Sequence, residues 1–360
     1  MINRRNVTLP KVLSKIFIFI LLALPLITWG GYYEGPKVFV FTMLGVLLIV
    51  FWLLKIIVLK ENISFTRADT LYLVWLFILT VASIAGIHSL ESLMGGSYRH
   101  QGVIFFLTLW LIYKTAAVLK KEDRGFLNKG VAFIIVVEAL IVLFQYSTGR
   151  MYFGKPLGTI GEANAVAGFL AIGSYFVFRS LDSIFFALPV ISILIPQSRS
   201  GLIALLPNLI FLLRNLKSEF RRVLIFLLVA GGIGFVVVVS RAKTASLFED
   251  RGAIMQLGIR ESIKRPLLGY GAESGEVVYG RAFSADHFKL NGLIIDRSHN
   301  LLLDVFMWSG SAGLIVFVAF LVAFYKSLDN KFKKLAFMSF VIYSMFQPLG
   351  IVHWLLPFLL

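Results

Sequence analysis

Cysteine is absent from this 360-residue chain. That removes disulfides, thiolate metal sites and cysteine nucleophiles. Charge is scarce too. Asp, Glu, Lys and Arg supply 15% of residues, against roughly 25% in soluble proteins. No P-loop, Rossmann fingerprint or HExxH is present, so the phosphate-cradling, dinucleotide and zinc-hydrolase chemistries those motifs carry have no foothold. The five histidines are scattered, with no His/Asp/Glu grouping at metal-ligand spacing. Nothing therefore asks for a metal or a cofactor, and there is no internal repeat. What is abundant is apolar. The hydrophobic fraction is 58%, with 34 Phe, and apolar runs recur along the whole chain. A soluble globular domain and a disordered chain are both excluded.

At ~20 apolar residues per transmembrane helix, the length accommodates about 11–12 spans. The expected fold is all-α, a polytopic helix bundle forming one integral membrane domain over residues 1–360. Spans are expected near Ile16–Trp29, Val38–Leu59, Thr70–Ile87, Val103–Leu119, Val131–Tyr146, Ala163–Phe178, Ile184–Ile195, Leu202–Leu213, Val223–Val239, Leu301–Tyr325, Leu335–Phe346 and Leu349–Leu360. The basic start with its first apolar run reads as an uncleaved span, because Pro25, Trp29 and Tyr32 stand where a cleavage site belongs.

The net charge of +16 would suggest nucleic acid in a soluble protein, but here it follows membrane topology. With the N-terminus cytoplasmic, 21 of the 35 Lys and Arg fall in inside segments and five in short outside loops. The other nine lie in one long outside loop, residues 241–298, which is not low-complexity. Met255, Ile259 and Ile263 fall at i, i+4 and i+8, so a short amphipathic helix is expected from about Glu249 to Lys264, lying on the membrane surface or folded over the bundle.

Candidate chemistry gathers at that same outer face. His299 and Asn300 open the span HNLLLDVFMWSGSAG, with Gly310 and Gly313 further along it. A His there can act as a base near neutral pH; the alternative is an interfacial cap. Asn300 can bond a substrate or hold the turn, and the glycines permit close helix approach. In Ser198-Arg199-Ser200-Gly201, Arg199 sits at the membrane boundary, where an Arg either snorkels or finds an anion. Arg251, Arg260, Lys264, Arg265, Arg281 and Arg297 share its side. Such clustering favours an anionic partner, since Arg grips phosphate oxygens bidentately. Seven acids in the loop can bridge some of these cations. The stretches Gly96–Gly102, with Arg99, and Gly158–Asn164, with Asn164, either line a shared pocket or are plain loops. Glu138 interrupts an apolar run, as a functional group or as one paired within the bundle. Asp304 is poorly placed for a dyad with His299 and is open to pairing with Arg199 or Arg251 across the bundle.

His299-Asn300, nine residues, then Gly310-x-x-Gly313 resembles the HN-x9-GxxG signature of the O-antigen ligase superfamily. Ser198–Gly201 is similar to its SRxG element. Arg251 followed by Pro266, Gly269 and Gly271 resembles its loop R…PxxGxG stretch, with Met255 where the family often has Trp; Arg260 and Arg265 are further candidates for that loop arginine. Gly96–Gly102 and Gly161–Ala167 also look similar to earlier family motifs. The resemblance implies a glycosyltransferase at the extracytoplasmic face of the cytoplasmic membrane, metal-independent and inverting. Its donor would be a glycan on a polyprenyl diphosphate. Its acceptor would be a hydroxyl of lipid A–core, of another glycan or of a protein. His299 would be the base, and Arg199 and Arg251 would bind the diphosphate, with Asn300, Arg265, Arg99 and Asn164 as substrate contacts. A polymerase of the same superfamily shares the motifs. A transporter for a lipid-linked anionic precursor is the alternative of another class, disfavoured because the polar residues gather on one face rather than along a path.

Overall fold

The computed structural model describes residues 11–29, 33–61, 63–96, 98–152, 154–181, 183–215, 245–282 and 295–360. The expected span Val223–Val239 lies outside the described residues. Among those residues the regular structure is helical and no strand forms. In chain order the helices are α1 (Lys11–Ala23), α2 (Glu34–Leu53, running on through a π turn at Leu54–Val58), α3 (Arg67–Ile84), α4 (Ser89–Met94), α5 (Val103–Ala117), α6 (Lys121–Ser147) and α7 (Ala163–Ser180). Then follow α8 (Ala187–Leu194), α9 (Arg199–Asn215), α10 (Ala245–Ser262), α11 (Gly275–Ala282), α12 (Leu301–Ser327), α13 (Lys331–Ser344) and α14 (Ile351–Phe358).

Four segments among the described residues are long and apolar enough to cross a membrane: α2 with its π turn, α3, α6 and α12. α5 and the Arg199–Phe211 part of α9 are shorter apolar helices. Phe39, Leu47, Phe77 and Ile315 stand exposed on these segments, as side chains facing lipid do. The chain is a multi-pass membrane protein. α14 is different: its eight residues rise only about 12 Å, and all of them are buried.

α7 sits at the centre. From Val166 to Val177 every residue is buried, the pattern of a helix enclosed on all sides. Small residues make this possible. A side chain at Gly168 would run into the Tyr343 ring on α13, and one at Gly173 into Ile135 on α6. Asn208 of α9 adds polar contacts in the interior, donating to the Ala171 carbonyl at 3.2 Å and to Ser174 Oγ at 3.0 Å. Such bonds tie helices together where apolar contact alone gives no preference over lipid.

Two charges inside the bundle are held by local partners. Glu138 accepts from the Thr159 amide at 2.7 Å and the Thr159 hydroxyl at 2.5 Å. It is therefore paired within the bundle, to the loop before α7. Lys37, which belongs to α2 rather than to a loop, gives its ammonium to the carbonyls of Ile27, Tyr33 and Thr159.

The loop helix forms over Ala245–Ser262, starting earlier than the expected Glu249, and its Ile259 side is turned away from the bundle. From Arg251 onward its buried residues are Ile254, Gly258, Glu261 and Ser262, while Ile259 and Ile263 are exposed. Met255, Ile259 and Ile263 do share one face, yet apolar spacing does not reveal that Gly258 lets the helix pack closely: a Cβ there would meet Tyr279 Oη at 2.5 Å.

Candidate functional site

The site is built around the first turn of α12. Asn300 is its N-cap, with Oδ1 accepting from the Leu303 amide at 3.1 Å. That satisfies one of the helix's free N–H groups. Immediately before it, His299 adopts φ 56°, in the left-handed region that bulky residues rarely enter. The chain on either side explains how this is held. The Ser298 amide donates to Asp304 Oδ1 at 2.7 Å, and the Ser298 hydroxyl bonds Tyr279 Oη of α11 at 2.7 Å. Asp304 thus reaches back one turn to fix the residue before His299. The pairing with Arg199 or Arg251 that its sequence position left open does not form; Arg297 is its cationic neighbour.

Two ion pairs clamp the approach to His299. Arg99 bonds Asp296 with two nitrogens, Nη2 reaching Oδ1 at 3.3 Å and Nε contacting Oδ2. Arg297 is buried, pairs with Glu273 and lies 4.5 Å over the Trp308 ring. It also approaches Gln101 Oε1 at 3.4 Å. Glu273 in turn accepts from the Gly96 amide at 3.1 Å. The Gly96–Gly102 stretch is therefore joined to the long loop by charge. Arg99 holds Asp296 down beside the histidine, and the Arg99 and Arg297 charges keep the Asp296 carboxyl below its ordinary range despite burial.

Arg199 and Arg251, from different elements, lie within electrostatic reach of one another. Ser198 caps α9, its Oγ accepting from the Gly201 amide at 3.2 Å, which sets Arg199 at the helix's first residue. Gly201 packs against α7, where a Cβ would lie 2.7 Å from Ala167 Cβ. The SRxG element is thus a cap, a cation and a close-approach glycine. Arg251, half-buried on α10, feels Glu162, Tyr343 and Arg199. Burial lowers its pKa first of all; Glu162 and Tyr343 oppose this, and the Arg199 charge reinforces it.

His299 stands in the field of these groups. Its Nδ1 is buried without a hydrogen-bond partner. Burial, then Arg251, then Arg99 push its pKa down to about 4, while Asp296 and Gln347 pull the other way. The imidazole is therefore neutral at pH 7 and able to accept a proton. Gln347, whose Nε2 is also buried and unpartnered, lines a small cavity with Gln101, Arg297, Asp304 and Trp354.

The remaining two motifs form one structural unit. Gly310 breaks α12 with φ 63° and ψ −167°. The segment Pro266–Gly271 lies in that break. The Tyr270 and Gly271 amides donate to the Met307 and Trp308 carbonyls at 2.8 and 2.9 Å. The Ser311 and Ala312 amides donate back to the Pro266 and Leu267 carbonyls at 2.7 and 3.4 Å. The glycines are required, since a Cβ on Gly310 would fall 2.2 Å from the Leu267 carbonyl, and one on Gly269 would fall 2.4 Å from the Met307 carbonyl. Gly310 and Gly269 thus serve loop-to-helix approach, whereas Gly313 faces a neighbouring helix, where a Cβ would lie 3.6 Å from Ile78 Cγ2 of α3.

His299, Arg99, Arg199 and Arg251 are thus brought into one electrostatic neighbourhood. Asn164 sits in the first turn of α7, its carbonyl accepting from Tyr343 Oη at 3.0 Å. Arg265 lies on the exposed loop with its guanidinium 5.0 Å from the Tyr270 ring centroid, and Arg260 is exposed on α10. Three residues of the site escape sequence reasoning. Glu162, which caps α7, lies in the Gly158–Asn164 stretch and could have been found there by its charge. Tyr343 and Gln347 carry no motif and no charge to mark them.

Two comparisons bear on this arrangement. Residues 184–318 match the family model described as O-antigen ligase. The match covers Arg199, Arg251, His299 and both glycines of α12. A curated protein of Acinetobacter baylyi (strain ATCC 33305 / BD413 / ADP1), named ComP-specific O-oligosaccharyltransferase, is 24% identical over 260 residues, covering 63% of this chain and 47% of that protein. The chain spans about half the length of this curated relative. Both comparisons support the O-antigen ligase superfamily.

Proposed function

We propose that this protein is a membrane glycosyltransferase that moves a glycan from a polyprenyl-diphosphate carrier to an acceptor hydroxyl, at the extracytoplasmic face of the cytoplasmic membrane. The observation that carries the reading is the placement of His299, with a buried, unpartnered ring nitrogen next to Gln347, in the field of Arg251 and Arg99, with the Arg199 charge acting on Arg251. An acceptor oxygen forms a bond to the anomeric carbon as the bond from that carbon to the phosphate oxygen breaks. The electron pair leaves on the diphosphate, and the hydroxyl proton goes to His299. The step is a single displacement with inversion. Arg199 and Arg251 stabilise the leaving charge where it develops, so the reading expects no divalent metal.

Binding and base strength are linked in this arrangement. Empty, the arginines depress the basicity of His299. A bound diphosphate neutralises them, and the histidine becomes a stronger base when a donor is present. Glu162 offsets part of the repulsion between the Arg199 and Arg251 charges, and a bound diphosphate would offset more. In this reading Arg99, from the Gly96–Gly102 stretch, and Asn164, in the first turn of α7, contact the substrate, while Asn300 caps the helix that carries the base.

The acceptor class is open to one specific pointer. The relative is named as an O-oligosaccharyltransferase specific for ComP, and a single named acceptor of that kind favours a protein hydroxyl over lipid A–core or a second lipid-linked glycan. The test is a reconstituted assay with polyprenyl-diphosphate glycan and those three acceptor types. Transfer to one of them, lost in His299→Ala and insensitive to EDTA, is the expected result. Donor translocated across vesicles with no transfer to any acceptor would instead establish the transporter reading.

A further inference from the structure

The Pro266–Gly271 segment has an unusual combination of properties. Its backbone is tied to the break in α12 by four hydrogen bonds, and the Tyr270 carbonyl accepts a further one from Ile87 at 3.3 Å. The Gly269 amide is satisfied by Arg265 at 3.1 Å. Yet its side chains are bare: Leu267 is 70% exposed and Leu268 is 42% exposed. A backbone tied on both sides of an exposed apolar pair suits a loop tip at the upper edge of the hydrocarbon, where the Leu267 and Leu268 amides, which find no backbone acceptor among the described residues, reach the headgroup layer.

Its position along α12 agrees. Leu267 abuts Gly310, seventeen residues above Ser327, where α12 ends. At 1.5 Å per residue that is about 26 Å up the helix. A hydrocarbon core is about 30 Å thick, so with the charged Lys326 end of α12 at the opposite boundary the segment falls just within its upper edge, on the His299 side. The outer face of α12 also leads to it. Ile315, Val318 and Val322 are exposed in a stripe, and Ser311 sits one turn above Ile315 on the same face. The stripe stops at Ser311, whose amide bonds Pro266, and Leu267 continues it upward. Ile259 on α10 and Ile263 just after it extend the apolar surface, with Arg260 and Arg265 exposed among them and Lys264 exposed while paired to Glu261 at 2.7 Å. Cations bordering apolar side chains suit an anionic headgroup layer over acyl chains.

We propose that Leu267 and Leu268 form a re-entrant tip that inserts into the acyl layer of the leaflet on the His299 side, with Arg260, Lys264 and Arg265 at its headgroups. The occupant of this surface is the bilayer itself. The inference rests on the multi-pass reading and not on the transferase chemistry. Its consequence is that the segment closing the break in α12 is anchored in the leaflet that would carry a lipid-linked donor.

The absence of cysteine makes the test direct. Single-cysteine variants Leu267→Cys and Leu268→Cys are labelled with an environment-sensitive fluorophore and reconstituted in phosphatidylethanolamine/phosphatidylglycerol vesicles. Gly280→Cys on α11 is the reference, because its surface is open and α11 bonds the residue before His299 through Tyr279. Labels at 267 and 268 should show blue-shifted emission. They should be quenched strongly by a nitroxide near the glycerol end of the acyl chain and less by one near the methyl end, with little quenching by iodide. The label at 280 should be quenched by iodide. Iodide quenching at 267 and 268 equal to that at 280 would overturn the proposal. Shielding from both iodide and lipid nitroxide would overturn it too, since a protein would then cover the site. Repeating the measurement in a His299→Ala background, with no donor present, separates its outcome from that of the transfer assay.

Discussion

The Tyr270 amide donates to the Met307 carbonyl at 2.8 Å, and this bond joins the two glycine motifs of the chain. Without the break at Gly310, helical residues beyond it would use that carbonyl themselves. Gly310→Ala should therefore be severe. A Cβ there would meet the Leu267 carbonyl carbon and oxygen, both at 2.2 Å, at a φ of +63°. The expected loss is more than about 1 kcal/mol, read as a lower melting temperature in detergent with loss of transfer. Gly280→Ala, in a helix with open space around it, should be neutral or gain about 0.5–1 kcal/mol. Equal melting temperatures for the two variants would remove the docking argument.

Glu273 and Arg297 should behave as a coupled pair. Their side chains are 7% and 3% exposed, so removing one leaves the other charge buried. Glu273→Gln alone should cost about 3–5 kcal/mol. Adding Arg297→Gln should recover part of that, although the Trp308 contact is then lost as well. A double-mutant cycle from thermal melts measures the coupling, and simple additivity would show that the pair does not hold the Gly96 stretch to the loop.

His299→Ala should reduce kcat by about 10²–10⁴-fold while leaving donor binding within a small factor. Arg199→Ala should instead weaken donor binding, with a smaller effect where donor is saturating. Single-turnover kinetics with labelled donor separate the two, and normal turnover by His299→Ala would eliminate the base assignment.

Much of this site is legible in the amino-acid sequence, for a physical reason. Arg199, Arg251 and His299 are charged or titratable groups in a chain that uses few, so each stands out against an apolar background. The loop helix is visible from apolar spacing, but its orientation is not. Which of two adjacent faces is buried depends on Gly258 meeting Tyr279, a contact between segments. The same holds for Gly310. Its sequence suggests close helix packing, whereas the structure gives a broken helix filled by Pro266–Gly271, and spacing within one helix carries no record of the loop that fills it. Gln347 and Tyr343 are invisible in sequence because a neutral polar residue near the end of an apolar helix looks ordinary until another element brings His299 or Arg251 beside it.

The pH dependence of the reaction ties these contacts together. The base must be neutral to accept a proton, so kcat/KM, which reports the free enzyme, should be flat from neutral pH down towards 5. It should then fall roughly tenfold per pH unit below the His299 pKa of about 4. Burial is the main cause of that low value, and Arg251 is the first of the charges that add to it. Arg251→Gln removes a positive neighbour, so protonating His299 becomes easier and its pKa rises towards the ordinary 6.5. The acid limb should move to higher pH even as overall activity drops. The kcat limb of the native enzyme should also lie above its kcat/KM limb, because bound diphosphate screens the same arginine. An acid limb unmoved by Arg251→Gln would mean that this guanidinium does not act on His299, and the coupling between donor binding and base strength would go with it.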